Sequence, residues 1–357
     1  MAIENLGWNT SSADNNSIAD VHAIIPPNIV LKVVCVAALI MTLVVGVVGN
    51  ILAMVSITMF KQLRSPSNVI VGGLCISDFT TCTVMTIITI ASYLSEGQIF
   101  GYLKDGILGN GVCQVYGFLF IQSGGASIYC MVAIAINRYI CVCRKHLFLA
   151  MFTIKNSVFC VVACHALAAV FSLPPFFNFS RYIFTRNEYI CLMDRTGLGL
   201  YYLASLATGT GLVPLLIIGT CYIQIGLKIR QVQRQIHSQS GHISKRDIQV
   251  TKTLFVVFLS YVLSISPYQF IATFDHSRDP PFGLAVLFFS SSAINPVIYG
   301  MMNPQFRRAY RKILKPIGSH PQNNSIEIIV PGPSTTLSII GQSTDNYNLK
   351  EITPKLQ

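Results

Sequence analysis

Several polar side chains lie inside long apolar stretches of the sequence, where together they could hold a small cation. Asp78 is in the middle of the apolar segment LCISDF, with no basic residue near it in the chain. Asn50 and Asn295 are amides at a similar predicted depth, and Ser127 lies one helical turn after Ser123 on the same face. Carboxylate, amide and hydroxyl oxygens suit a small cation and its waters. The alternative is a cluster of hydrogen bonds between helices.

A lone arginine near the end of the apolar stretch AIAINRYICV is the second candidate for chemistry. Arg138 stands between the amide of Asn137 and the phenol of Tyr139, and no charged residue occurs between Tyr116 and Ile136. The guanidinium therefore comes at the edge of an apolar layer. Its role depends on the elements that position it.

The composition indicates that these groups belong to an integral membrane protein. Of 357 residues, 52% are hydrophobic and 11% are charged, and the mean hydropathy is +0.57. Soluble domains have roughly 25% charged residues. Most of the 11 cysteines lie in apolar runs and no CxxC pair accompanies histidines, so we expect no metal site of the zinc type. The N-terminus lacks the pattern of a cleavable signal peptide.

Seven apolar runs are long enough for helices that cross a membrane, which takes about 20 residues each. They cover residues 31–60, 68–94, 112–143, 157–177, 199–228, 250–274 and 282–302. None alternates in polarity as the strands of a membrane barrel do. The sequence therefore predicts an all-α membrane protein, a bundle of seven transmembrane helices.

The distribution of basic residues predicts the orientation of this bundle. Lys and Arg concentrate in one set of loops and after the last run, and the first 31 residues contain neither. Because basic loops stay in the cytoplasm, we expect a multi-pass plasma-membrane protein with an extracellular N-terminus. The net charge of +11 is mostly this bias, and we expect no nucleic-acid partner.

Four regions follow from this orientation. We expect an extracellular N-terminus at 1–30, a helical bundle at 31–302, an amphipathic helix on the inner leaflet at 303–315 and a disordered tail at 316–357. Sequons at Asn9 and Asn15 predict glycosylation of the first region. Serines and threonines of the tail could accept phosphate, although such clusters are often only solvated.

Prolines inside three predicted helices suggest that the bundle changes shape. Pro214, Pro267 and Pro296 lie in the fifth, sixth and seventh runs. Each removes a backbone donor and kinks its helix. Incidental helix packing would explain one proline of this kind more easily than it explains three.

The order of these features resembles that of a class A, rhodopsin-like G-protein-coupled receptor over about residues 30–315. The matching motifs are Gly49–Asn50, LCISD ending at Asp78, Cys113, NRY at 137–139, Pro214 with Tyr222 eight residues later, Pro267, NPVIY at 295–299 and NPQFRRAYRKIL at 303–314. The resemblance implies a receptor, not an enzyme. Such a receptor binds an extracellular ligand and activates a heterotrimeric G protein by rearranging helices five to seven.

The resemblance also implies roles for particular residues. It implies a Cys113–Cys191 disulfide, and a sodium pocket made by Asp78, Ser127, Asn295 and Asn50, with no other metal or cofactor. It implies a cytoplasmic G-protein switch made by Asn137, Arg138, Tyr139, Asp247, Tyr222 and Tyr299. Asp247 would pair with Arg138 at rest; alternatively it is a solvated acid that favours the start of its helix. The phosphorylated tail would bind arrestin, and Arg307, Arg308 and Arg311 would face membrane lipids.

Within this family the sequence is most similar to the melatonin-receptor-like group, and it favours an orphan-type invertebrate member. CQVYGFL, AIAINRYICVC and YGMMNPQFRRAYRKI resemble that group, in which Asn precedes the arginine as Asn137 does here. Arg195 and the Pro174–Phe176 segment depart from the group's ligand contacts, so we expect a ligand other than melatonin. The similarity weakly favours an inhibitory-type G protein.

Other departures from the family pattern argue against particular classes of ligand. Phe120 stands where aminergic receptors carry a carboxylate, and Phe289 stands where opsins carry the lysine that binds retinal, so we expect neither an amine salt bridge nor retinal. Ile265 replaces the usual tryptophan of helix six. We expect the ligand pocket to be lined by Phe120, Ile121, Gly124, Gly125, Ile265, Gln269 and Phe289, unless these residues only pack helices.

Several alternatives to this reading remain. Within the family, a peptide ligand or a non-visual opsin-like receptor is the alternative to a small apolar or weakly polar ligand. Outside it, a transporter or channel would be expected to show an internal repeat, and none is evident.

Overall fold

Seven helices in the described part of the chain are long and apolar enough to cross a membrane. The computed structural model describes residues 29–101, 107–234, 244–274 and 281–315. Spans 1 to 7 are Ile29–Met59, Pro66–Leu94, Ile107–Cys143, Ile154–Ser172, Leu198–Arg234, Lys245–Phe274 and Phe282–Met302. The prediction of an all-α, seven-helix membrane bundle is confirmed. Asn9, Asn15 and the tail from residue 316 lie outside the described residues.

Some helix ends differ from the ends of the predicted apolar runs, because hydropathy alone does not show where the backbone can form a helix. Span 4 ends at Ser172 rather than at 177, because Pro174 and Pro175 lack amide donors and a 3₁₀ turn, Pro174–Phe177, follows. Span 5 continues to Arg234 and span 6 begins at Lys245. Those added turns are rich in polar residues, which form helix readily outside the bilayer but give no hydropathy signal.

Shorter elements connect the spans. A 3₁₀ turn, Lys61–Leu63, and helices Gln98–Gly101 and Lys145–Met151 lie in the first three connections. Strands β1, Tyr182–Thr185, and β2, Ile190–Met193, form an antiparallel hairpin between spans 4 and 5, with Phe184 opposite Cys191. Strand β2 is buried along its whole length, so the hairpin packs into one end of the bundle, the end that the basic-residue pattern predicts to be the outer one.

Glycine allows spans 1 and 7 to approach closely. A Cβ atom added at Gly49 would lie 2.6 Å from Cγ of Pro296. No ordinary side chain fits that distance without a shift of one helix. The Gly49–Asn50 motif and the proline of span 7 therefore meet across one interface, which places Asn50 against span 7.

The three prolines lie inside helical spans, as predicted. Pro267 and Pro296 are interior to spans 6 and 7. In span 5, a π-helical segment, Ala207–Leu212, comes just before Pro214. Tyr129 of span 3 donates a hydrogen bond to the Gly209 carbonyl at 3.2 Å. Span 3 thus supplies a donor where the backbone hydrogen bonds of span 5 change from the α-helical to the π-helical pattern.

The last described helix is amphipathic. It runs Pro304–Leu314, within the predicted range 303–315, and the Asn303 side chain accepts a hydrogen bond from the Gln305 amide at 3.0 Å at its start. Phe306 and Ala309 are buried on one face. The basic side chains are exposed on the other: Arg307, Arg308, Arg311 and Lys312. This arrangement suits a helix lying on an anionic membrane surface.

Candidate functional site

The structure brings three of the predicted cation ligands together at mid-span. Asp78 is buried, and Ser127 of span 3 donates to its Oδ1 at 3.2 Å. Asn295 of span 7 donates through Nδ2 to Asp78 Oδ2 at 2.8 Å. Spans 2, 3 and 7 thus converge on one carboxylate, although these residues are far apart in the sequence.

Asn50 bonds to backbone carbonyls of spans 1 and 7 and not to the Asp78 carboxylate. Its Nδ2 donates to the Gly46 carbonyl at 2.9 Å and to the Ser292 carbonyl of span 7 at 3.2 Å. The Oδ1 atoms of Asn50 and Asn295 are both buried without a hydrogen-bond partner in the described part of the chain. A buried acceptor in that state is costly, and carboxylate and amide oxygens of this kind are the ligands that hard cations prefer.

The inner end of span 3 carries a buried amide and guanidinium pair. Asn137 is fully buried and Arg138 is 5% exposed. Asn137 Oδ1 accepts hydrogen bonds from Ser67 Oγ of span 2 and from Arg138 Nη2, the latter at 3.0 Å. The Arg138 guanidinium is therefore covered by the bundle in this conformation.

The expected ion pair between Arg138 and Asp247 is not formed. Ion pairs within the described residues join Lys32 to Glu96, Arg181 to Asp194 and Arg195 to Glu188. Neither an ion pair nor a hydrogen bond joins Asp247 to Arg138 in the described part of the chain. The half-buried Asp247 lies on the first turn of span 6, whereas Arg138 points into the bundle and bonds to the adjacent Asn137.

The remaining predicted switch residues lie close to this end of the bundle. Tyr139 is partly buried against the core. The Tyr222 ring of span 5 lies 6.2 Å from that of Phe258 on span 6, nearly parallel to it. Tyr299 of span 7 is buried, stacks on Phe306 at 5.4 Å, and its hydroxyl has no hydrogen-bond partner among the described residues. A buried hydroxyl without a partner is costly, so this conformation leaves Tyr299 unsatisfied.

The outer hairpin is fixed to the bundle at several points. Cys113 and Cys191 form a disulfide with a Cα–Cα distance of 5.4 Å, which confirms the predicted pair. At its end, Asp194 accepts from the Thr196 hydroxyl at 2.8 Å and pairs with Arg181 at 3.4 Å. The Thr196 hydrogen bonds and then Arg181 lower the pKa of Asp194, because they stabilise the charged form.

A mostly apolar cavity of about 520 Å³ lies beneath the hairpin, between spans 3, 5 and 6. Six of the seven predicted pocket residues line it: Phe120, Ile121, Gly124, Gly125, Ile265 and Gln269. Arg195, from the segment after β2, is the charged residue in the lining. A cavity of this size with few polar groups suits a small ligand.

Phe289 was wrongly predicted to line this cavity. It is fully buried, and its ring packs edge-on against Phe120 at 6.0 Å. Phe288 lines the cavity instead and stacks on Phe120 at 4.8 Å. Successive residues of a helix point in directions about 100° apart, so a one-residue difference exchanges the cavity wall for the helix interface.

Sequence reasoning missed Glu188, which forms a buried cluster at the outer end of the cavity. Its side chain is fully buried in the turn of the hairpin. Glu188 Oε1 accepts from Arg195 Nη2 at 3.0 Å, and Oε2 accepts from the Tyr268 hydroxyl of span 6 at 2.5 Å. An acidic residue seven positions before an arginine in an outer loop is typical of a solvated surface, so the sequence carried no usable signal.

Comparisons with known proteins agree with this geometry. The model of the 7 transmembrane receptor (rhodopsin family) matches residues 49–299. The chain therefore belongs to the rhodopsin family of G-protein-coupled receptors. This confirms the predicted receptor class, and nothing in the comparisons supports a transporter.

Within the family the chain is similar to melatonin receptors. It is 29% identical to melatonin receptor type 1C of Gallus gallus over 289 residues, which is 78% of this chain and 81% of the relative. It is 30% identical to melatonin receptor type 1A of the same species over 287 residues, 77% of this chain and 78% of the relative. The predicted melatonin-receptor-like character is confirmed.

Opsins are also similar. The chain is 30% identical to long-wave-sensitive opsin 1 of Canis lupus familiaris over 290 residues, 76% of this chain and 75% of the relative. The crystal structure of squid rhodopsin matches with a TM-score of 0.69 at 20% identity, over 81% of this chain and 89% of that one. At that identity the likeness concerns the fold alone.

Proposed function

We propose that this receptor binds a small extracellular molecule in the cavity beneath the outer hairpin and then activates an inhibitory-type heterotrimeric G protein. The N-terminus is extracellular in this proposal, and the receptor acts at the plasma membrane. The cavity carries the proposal: its walls come from spans 3, 5 and 6, so a ligand there can bias the positions of helices whose inner ends surround Arg138.

The covered outer end favours a small molecule over a peptide. Strand β2 is buried, and the Tyr189 ring packs edge-on against Tyr93 of span 2 at 4.8 Å and Phe282 of span 7 at 5.8 Å. A peptide would have to displace this hairpin to reach the cavity. The similar receptors are named for melatonin, but Arg195 places a paired charge in the lining, which supports a different ligand for this chain.

Cell-based biosensors for each G-protein class test this proposal directly. The receptor should activate an inhibitory-type sensor in response to at least one compound of a small-molecule library that includes melatonin. Gly124→Leu should abolish that response, because a Cβ at Gly124 has free space up to Phe288 at 3.5 Å and a longer side chain fills the cavity. Gly283→Leu is the matched control, since nothing lies within 4 Å of its added Cβ. A response that survives Gly124→Leu would overturn the assignment of the cavity.

We further propose that Asp78, Ser127, Asn295 and Asn50 hold sodium as an allosteric ion. The convergence of Ser127 and Asn295 on the Asp78 carboxylate supports it, as do the buried Oδ1 atoms of Asn50 and Asn295, which have no hydrogen-bond partner among the described residues. Sodium should raise the thermal stability of the purified receptor in potassium-free buffer, and Asp78→Asn should remove the effect. Equal stability in sodium and in choline would contradict a sodium site.

The other expected partners are proposals of the same kind. Arrestin binding would use a phosphorylated tail, and the amphipathic helix would rest on anionic lipid through its exposed arginines. Recruitment of arrestin to a receptor truncated after residue 315 tests the first; loss of recruitment is the expected result.

A further inference from the structure

Glu188 is a buried acid that belongs neither to the proposed cavity lining nor to the proposed switch. Both oxygens of its fully buried carboxylate are taken by hydrogen bonds, one from Arg195 at 3.0 Å and one from Tyr268. A buried carboxylate is costly unless it is paired and hydrogen-bonded. The cluster therefore resists rearrangement that would leave the acid without its partners.

The position of Tyr268 makes its hydrogen bond significant. Tyr268 immediately follows Pro267, the proline inside span 6. Proline interrupts the helical ladder and permits the two parts of a helix to move relative to each other. The Glu188–Tyr268 bond therefore holds span 6 next to the residue about which it can bend.

The hairpin that carries Glu188 is a firm attachment point. Two residues from Tyr189, Cys191 joins the hairpin covalently to span 3. The backbone carbonyl of Tyr189 accepts a hydrogen bond from Ser92 of span 2 at 2.7 Å. Span 6 is thus tied, through one phenol, to a loop that is itself held by spans 2 and 3.

The inner end of span 6 is in its closed position in the same conformation. Gln249 donates to the Met302 carbonyl of span 7 at 2.8 Å, and Arg138 is covered. A G protein can reach Arg138 only if the inner part of span 6 moves. A movement that pivots at Pro267 would shift the adjacent Tyr268 phenol relative to Glu188, whose hairpin is held by spans 2 and 3. A bond that is lost in such a movement stabilises the closed bundle.

We propose that the Glu188–Tyr268 hydrogen bond restrains the receptor in its inactive state. Arg195 and Tyr268 both line the cavity, so a ligand there contacts both partners of Glu188. This inference rests on the proposed receptor function, because its main readout is G-protein activation.

Ligand-free signalling of point variants tests the restraint without knowledge of the ligand. Tyr268→Phe keeps the ring and removes the donor, and it should raise basal G-protein activation roughly tenfold at equal surface expression, as expected for losing one bond to a charged acceptor. Glu188→Gln should raise it less, because an amide oxygen still accepts. The double variant should match Tyr268→Phe alone, since Tyr268→Phe has already removed the bond that Glu188→Gln weakens.

Tyr202→Phe is the matched control. Tyr202 is also a buried tyrosine, and its hydroxyl donates to the Phe171 carbonyl of span 4. This bond does not involve Glu188 or Tyr268. The control variant also loses a buried hydroxyl donor, although to a neutral acceptor, and should leave basal signalling unchanged. A rise in this control equal to that of Tyr268→Phe would overturn the proposal, because general loosening would then explain both.

A second readout separates this inference from the proposed function. Hydrogen exchange of the purified receptor should be faster in span 6 peptides of Tyr268→Phe than of wild type. Faster exchange without any G-protein response would keep the restraint and overturn the proposed coupling. Unchanged exchange and unchanged basal activity, in a receptor that responds to a ligand, would overturn the restraint alone.

Discussion

Replacement of Asn137 by Asp should stabilise the closed bundle and lower ligand-free signalling. Asn137 Oδ1 already accepts from Ser67 and Arg138, whereas its buried Nδ2 has no hydrogen-bond partner in the described part of the chain. Arg138 Nε is likewise buried without one. An aspartate has nearly the same shape, replaces the idle donor with an acceptor, and places a negative charge beside a guanidinium that makes no ion pair.

The magnitude follows from the strength of the bonds that change. The Arg138–Asn137 bond already has a charged donor, and hydrogen bonds of charged groups contribute about 1.5–3 kcal/mol, against about 1 kcal/mol for neutral ones. A charged acceptor as well places the bond nearer the upper end of that range. Burying the new carboxylate is offset by the guanidinium charge already buried next to it. We expect a gain of about 1 kcal/mol for the closed state, which is roughly a fivefold lower active fraction.

The assay compares ligand-free G-protein activation of wild type and Asn137→Asp at matched surface expression. Ser67→Ala is the control, because it removes a neutral donor to Asn137 and leaves the Arg138 contact in place. Its effect on basal activity should be smaller than that of Asn137→Asp. Basal activity equal to or above wild type in Asn137→Asp would refute the idea that the neutral amide leaves Arg138 weakly restrained.

Three further predictions concern the scaffold. Cys191→Ser should cost about 4 kcal/mol of stability, because the disulfide closes a loop with a sequence separation of 78, and surface expression should fall sharply. Gly49→Val should lower the thermal stability of the purified receptor by about 1–3 kcal/mol, since its side chain would overlap Pro296; unaltered stability would contradict that interface. Because the folded pKa of Asp194 is lowered, its contribution to the hairpin is present above about pH 4 and is lost as pH falls through the folded pKa. Protection of the hairpin amides should therefore decrease only in acid, and Asp194→Asn should make it independent of pH there.

Features that depend on long apolar runs, or on a polar residue within one, were predictable from the sequence. The seven spans follow from hydropathy, because a membrane helix must present about 20 apolar residues to the bilayer. Asp78 was identifiable because a carboxylate inside such a run is costly, and Ser127 and Asn295 then proved to bond to it. The disulfide between Cys113 and Cys191 followed from the family resemblance rather than from spacing.

Residues whose role depends on side-chain direction were not predictable. Phe289 and Phe288 differ by one position, yet only Phe288 lines the cavity, because the rotation of span 7 in the bundle decides which ring faces inward. Asp247 has the charge to pair with Arg138, but the distance between two helices decides whether they meet, and they do not.

The sequence by itself determined that this protein is a seven-helix membrane receptor with a carboxylate at mid-membrane and a lone arginine at the edge of an apolar run. Those conclusions need only periodic hydrophobicity, the cost of buried charge and the order of motifs. Only the tertiary structure decided that Glu188 joins Arg195 to Tyr268 across the top of the cavity. The physical reason is that loop residues carry no periodic signal: whether an acid is solvated or buried against a helix depends on how the hairpin folds over the bundle.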